Sequence, residues 1–136
     1  MPERTPPAIT DSYSRGYWDG LRKHRLLLQH CSDCGFIRFP AGAVCPECWS
    51  DRFDWRQHSG AGTVTSFVWY MKSLDRRFPE VPYNVSLIRL DDGPVIISNV
   101  MEVDFSKLHI GDRVNARFSD ENAGFTALLF VRPKDS

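Results

Sequence analysis

No stretch of this chain approaches the roughly 18 consecutive apolar residues of a membrane-spanning helix, so no helical span is expected. Charge of one sign is also missing. Seventeen Lys and Arg stand against seventeen Asp and Glu, divided eight to seven in residues 1–60 and nine to ten in residues 61–136. Nucleic-acid binders carry a basic surplus because phosphate contacts dominate their affinity, and neither half has one. The opening residues Met1-Pro2-Glu3-Arg4-Thr5-Pro6-Pro7 lack the apolar core of a signal peptide, which points to the cytoplasm. Signatures of catalysis are absent too. There is no Gly-x-Ser-x-Gly elbow, and the one close glycine pair, Gly60-Ala61-Gly62, precedes a strand pattern rather than the helix a phosphate loop needs. No internal repeat occurs, and only residues 1–10 read as a Pro-rich, extended tail.

Cysteine is scarce but ordered. Four residues form two pairs, Cys31-Ser32-Asp33-Cys34 and Cys45-Pro46-Glu47-Cys48, with ten residues between them. Each pair can place two thiolates on one tight turn, and two facing turns make the tetrahedral four-sulfur site that structural zinc takes. Gly35 follows the first pair, where the turn needs positive φ, and Pro46 pre-sets the second turn. Tetrahedral sulfur also suits iron. A thioredoxin-like redox reading lacks its βαβ surroundings, and a disulfide framework does not fit a chain without a signal peptide. Four thiolates close the coordination sphere, so the metal is structural Zn2+ and its presence does not itself indicate a reaction.

Asp11 and Ser12 can cap a helix in which Tyr13, Tyr17, Trp18 and Leu21 recur at helical spacing, with Gly16 and Gly20 weakening it. Leu26–Cys31 and Phe36–Phe39 read as strands around the first knuckle, the order of a zinc ribbon. From Gly60 onward the pattern is β. Strands are expected at Thr63–Met71, Tyr83–Leu90, Pro94–Met101, Arg113–Ser119 and Phe125–Val131, with Asp91-Asp92-Gly93 as a hairpin turn and Phe105–Leu108 as one helical turn. The fold class is therefore mainly β with an N-terminal helix. The expected division is tail and helix 1–25, ribbon 26–58, and a five-stranded OB-fold barrel 59–136. On the first barrel strand, simple alternation puts Thr63, Thr65, Phe67 and Trp69 on one face and Val64, Ser66, Val68 and Tyr70 on the other.

These motifs in this order resemble one family. The carriers are Leu26-x-Leu28-Gln29-x-Cys31-x-x-Cys34-Gly35, then Phe39-Pro40 and Cys45-Pro46-x-Cys48. Ser59-Gly60-x-Gly62-x-Val64 follows, then Pro82-Tyr83-x-Val85-x-Leu87-x-x-Leu90-Asp91-x-Gly93, Ile110-Gly111-Asp112-x-Val114 and Phe130-x-x-Pro133. The chain is similar over residues 12–133 to the acyl-CoA-associated proteins that join a rubredoxin-like zinc ribbon to an OB-fold. The resemblance implies a non-catalytic partner of thiolase-fold enzymes. These include thiolases, the lipid-transfer-protein-like aldolases of steroid side-chain breakdown and, in some members, a MaoC-like hydratase, with acyl-CoA reached through the complex. A membrane role is not implied.

Within that reading no catalytic residue is assigned. His24 and His30 read as surface or packing residues, His58 and His109 beside loops as surface residues rather than general bases, and Asp91 and Asp92 as hairpin residues. Trp69, Lys72, Arg76 and Arg77 are candidates to hold the adenine and phosphates of CoA, and Tyr13, Tyr17, Trp18 and Leu21 to dock the partner. The competing function for a ribbon and OB-fold is single-stranded nucleic-acid binding, against which the neutral charge counts.

Overall fold

The computed structural model describes residues 12–73, 80–121 and 124–133. Among the described residues one helix, α1 (Arg15–Arg22), precedes nine strands: β1 (Leu26–Cys31), β2 (Ile37–Arg38), β3 (Phe53–His58), β4 (Ala61–Tyr70), β5 (Tyr83–Leu90), β6 (Val95–Ser98), β7 (Val100–Met101), β8 (Arg113–Asp120) and β9 (Thr126–Val131). They form two sheets, ordered β2-β1-β3 and β6-β5-β4-β8-β9-β7. The second is the expected OB-fold, its third strand split at Asn99 into β6, antiparallel to β5, and β7, parallel to β9. The expected helical turn at Phe105–Leu108 is a hydrogen-bonded turn, Lys107 N–H to Asp104 O at 2.9 Å.

The helix begins later than its expected caps. Ser14 stands at the N-cap without a side-chain cap bond, and its carbonyl accepts from Tyr17 and Trp18 N–H. The two glycines that weaken α1 have a packing role. A Cβ on Gly16 would stand 2.4 Å from Trp55 of β3, and one on Gly20 would stand 2.8 Å from Leu27 of β1. The helix therefore lies directly on the ribbon sheet, and contact replaces the propensity it gives up.

Leu26 and Leu28 of β1 are buried in one cluster with Val64, Ile88, Leu90, Ile96, Val100, Val114 and Phe130 of the barrel. Ribbon and barrel thus share a core. Fully burying each such side chain contributes about 1.5–3 kcal/mol.

Alternation on β4 changes phase. Val64 pairs with Ile88 but Ser66 pairs with Leu87, which leaves Thr65 as an unpaired bulge residue whose hydroxyl donates to Leu87 O at 3.2 Å. Before the bulge Gly62 and Val64 point inward; after it Phe67 and Trp69 do, opposite Ser86 and Asn84. The expected single face Thr63, Thr65, Phe67 and Trp69 is corrected accordingly.

The split third strand depends on Asn84, which is buried on β5. Its Nδ2 donates to Val100 O at 2.8 Å, and its Oδ1 accepts from Val100 N–H at 2.9 Å and Ser86 Oγ at 2.7 Å. The side chain supplies what the ladder cannot where the chain leaves β5 for β9. Asn84→Leu leaves both Val100 backbone groups and the Ser86 hydroxyl without that partner, so a loss of about 2–4 kcal/mol is expected. Urea unfolding monitored by circular dichroism measures it.

Candidate functional site

The two knuckles bring the four cysteines together. Cys31 Sγ lies 3.5 Å from Cys48 Sγ, Cys34 Sγ lies 3.6 Å from Cys45 Sγ, and all four sulfurs fall within 4.8 Å of one another. A tetrahedral zinc with Zn–S of about 2.3 Å needs sulfurs about 3.8 Å apart, so the set fits the ion. Disulfides are excluded, since an S–S bond is close to 2.05 Å. Backbone N–H groups reach the sulfurs. The amide of Cys34 contributes most to lowering the Cys31 thiol to about 6. The Ser50 amide favours the Cys48 thiolate, yet the adjacent sulfurs, Cys31 foremost, and burial push that thiol up to about 12. Crowded thiolates repel, and a divalent cation removes that repulsion while releasing the remaining protons. Asp33 accepts from Ser50 and Arg52, tying one knuckle to the other.

The histidines depart from expectation in one case. His24 and His109 are exposed, and His24 stacks on Phe118 and bonds Asp120 at 3.1 Å. His58, expected at the surface, is buried where the ribbon meets the barrel. Its Nε2 lies 2.8 Å from His30 Nε2, and Asp92 Oδ1 lies 3.0 Å from its Nδ1, outside hydrogen-bond geometry. A Cβ on Gly93 of the β5–β6 hairpin would stand 3.3 Å from the His58 ring, so the hairpin packs on it. Burial, then the neighbouring His58, lowers the His30 pKa. Among the described residues none of His30, His58 and Asp92 makes a hydrogen bond to a hydroxyl or thiol.

The helix stripe expected to dock a partner is largely spent inside. Leu21 has 0% of its surface exposed, which corrects its assignment as an interface residue. Tyr17 packs on Phe39 with ring centroids 5.5 Å apart, and burial pushes its phenol well above the usual range. Trp18 meets the Tyr17 ring edge-on, and the Tyr13 carbonyl accepts from Gln29. The exposed side of α1 carries Arg15, Asp19 and Arg22.

Of the CoA candidates, Trp69 is half-buried, packed against the core and edge-on to Phe105 at 5.6 Å, while Lys72 is exposed just beyond β4. Arg76 and Arg77 lie outside the described residues.

A surface that alternation missed appears on the barrel. Past the Thr65 bulge, Val68 pairs with Val85, and Tyr70 pairs with and stacks on Tyr83, all facing outward; Leu87 faces outward beside Ile97 of β6. Val68 is 55% exposed and Ile97 66%. These outer-face residues make a continuous apolar stripe along three strands, the kind of patch that marks interaction sites. The alternation of β5 alone carries half the signal, since Val85 and Leu87 share a face whose opposite is filled by Ile88 and Leu90.

Comparison with known proteins agrees with this architecture. Residues 18–54 match the family model described as "ChsH2, rubredoxin-like zinc ribbon domain", and residues 55–119 match "ChsH2, C-terminal OB-fold domain". A probable enoyl-CoA hydratase alpha subunit of Thermomonospora curvata is 31% identical over 79% of this chain; the chain spans only 33% of that protein. A DUF35 domain-containing scaffold protein of Methanothermobacter thermautotrophicus is 28% identical over 71% of this chain and 74% of its own length. Among solved structures, a chain of the Ltp2-ChsH2(DUF35) aldolase superposes with a TM-score of 0.84 at 27% identity, covering 93% of this chain and 98% of that one. A Sulfolobus solfataricus protein of the DUF35 family shares the fold, with a TM-score of 0.62 at 18% identity over 87% of this chain and 83% of its own.

One zinc per chain is expected in plasma emission analysis of purified protein. Cys31→Ser should lose it and unfold the ribbon, because metal binding and folding of so small a lobe are one event. Chelation should lower the melting temperature of the wild type in the same way, and zinc repletion should restore it.

Proposed function

The chain belongs to the ChsH2 (DUF35) zinc-ribbon and OB-fold family, and on that premise we propose that it is a non-catalytic accessory subunit of a CoA-thioester-processing complex. Its partner in this reading is a thiolase-fold enzyme of the aldolase or thiolase type, which performs the bond-making or bond-breaking step. The observation that carries the reading is the outward apolar stripe of Val68, Val85, Leu87 and Ile97. Such a face is costly to leave in water and is stabilised by a partner surface. Four thiolates leave a metal no open position, and the His30–His58 pair, with Asp92 near it at the surface, meets no nucleophile among the described residues. Both features fit a subunit that positions rather than reacts. Relatives named as scaffold proteins and a neighbour solved as part of an aldolase support the same role. Relatives named as hydratase alpha subunits extend the class of partner to enoyl-CoA hydratases.

The finer reading gives the barrel's β4–β5 end a part in holding CoA. Lys72 supplies a cation just past β4, Arg76 and Arg77 follow it in the sequence, and Trp69, three residues before Lys72, forms an aromatic pair with Phe105.

The purified chain alone should turn over no acyl-CoA ester. With the Ltp2 aldolase as probe, Ile97→Lys should weaken binding at least tenfold in calorimetry, with zinc content and melting temperature unchanged. Arg77→Ala should leave the complex intact and raise its KM for the CoA ester. Unaided turnover, or an Ile97→Lys complex as tight as the wild type, contradicts the corresponding part.

A further inference from the structure

The two knuckles close alike, with one difference. Gly35 N–H donates to Cys31 O at 3.0 Å, and Trp49 N–H donates to Cys45 O at 2.8 Å. Both residues are left-handed, Gly35 at φ 80° and Trp49 at φ 65°. Glycine takes this conformation freely, and a bulky side chain there is strained. The knuckle turn imposes the angle at both positions, but it does not explain why the second carries Trp rather than Gly. Trp49 is 79% exposed, and its indole has no ring contact or hydrogen bond among the described residues. The backbone beneath it is well braced, since Ser50 and Arg52 both bond Asp33 and the Arg52 N–H bonds Ser50 Oγ at 3.1 Å. Val44, on the same loop, is also exposed.

The charge around it selects the kind of partner. The knuckle residues 31–36 and 45–52 carry Asp33, Glu47 and Asp51 against a single cation, Arg52; Arg52 and Asp33 pair, which leaves Glu47 and Asp51 as the net charge. Four thiolates also outweigh the charge of a divalent ion. A phosphate-bearing ligand, nucleotide or nucleic acid, would meet repulsion here. A second copy docking symmetrically would set the acidic rim against itself. A protein pocket that is apolar within and lined at its mouth by Lys or Arg is complementary on both counts.

We infer that Trp49 is a pre-organised docking anchor that seats in an apolar, basic-rimmed pocket of the partner enzyme. The inference rests on the accessory-subunit reading and adds a ribbon contact to the barrel stripe. The braced turn fixes the point from which the side chain projects, which lowers the entropy cost of binding, and tryptophan is a frequent interface anchor.

Trp49→Gly separates the two roles of the residue. Relieved of strain, the zinc-loaded variant should melt at the wild-type temperature or above it, with zinc content unchanged. Its affinity for Ltp2 should fall about thirtyfold, the usual consequence of truncating an anchor. Glu47→Lys with Asp51→Lys should slow association and remove its sensitivity to salt. If the wild type binds Ltp2 and Trp49→Gly binds equally well, the inference fails while the accessory reading stands. If Trp49→Gly loses zinc, Trp49 belongs to the knuckle rather than to an interface. Loss of self-association, or of oligonucleotide binding, in the variant would assign the residue to another occupant. Absence of any complex between the wild type and Ltp2 would overturn the accessory reading and this inference with it.

Discussion

Four thiolates gathered on two short turns are the constraint on which the remaining structure depends. The ribbon sheet has a two-residue outer strand, and β1 and β3 both run into knuckles. Without a cation, mutual repulsion of the sulfurs opposes the approach of those turns. With it, β1 is fixed, and β1 then serves both sides of the molecule. One side receives α1 through Gly20 and Leu27, and the other delivers Leu26 and Leu28 to the barrel core. A closed metal site therefore acts at a distance, through the strand it anchors.

The junction shows how little room for movement that arrangement leaves. His58 ends β3, lies against His30 of β1, and is covered by Gly93 of the barrel hairpin. Arg113 binds Asp91 of that hairpin through two nitrogens at 2.6 Å and reaches Thr63 at 2.9 Å, tying β8 and β4 to it. Asp91 is correspondingly held below the usual carboxylate range by Arg113. Surfaces carried on the ribbon and on the barrel are thus presented from one shared core.

The exposed features are of two physical kinds. The barrel stripe is broad, flat and apolar, made by ordinary strand residues turned outward. Trp49 is a single large side chain on a strained, braced turn with an acidic rim. Area and anchor are complementary elements of protein recognition, since anchors supply most of the energy and the surrounding surface excludes water.

The sequence by itself determined the four clustered cysteines, the ribbon, the strand segments of the barrel and its hairpin at Asp91–Gly93. Each is a local signal: cysteine spacing fixes a turn, alternation fixes a strand, and turn residues fix a reversal. The family resemblance was legible for the same reason, as a string of such signals in order. Only the tertiary structure decided which faces are inside. One bulge residue, Thr65, reverses the phase of β4, sending Phe67 and Trp69 inward and Val68 and Tyr70 outward. No local pattern announces it, because it answers to the register of β5. Likewise Leu21 and Tyr17 make a stripe on paper, and Gly16 and Gly20 look like weaknesses, but Trp55 of β3 and Leu27 of the adjoining β1 fill the space the glycines leave. His58 and Trp49 divide the same way. Type and spacing suggest what a residue can do, but the burial of His58 is set by partners far along the chain, and the exposure of Trp49 by the fold around its local turn.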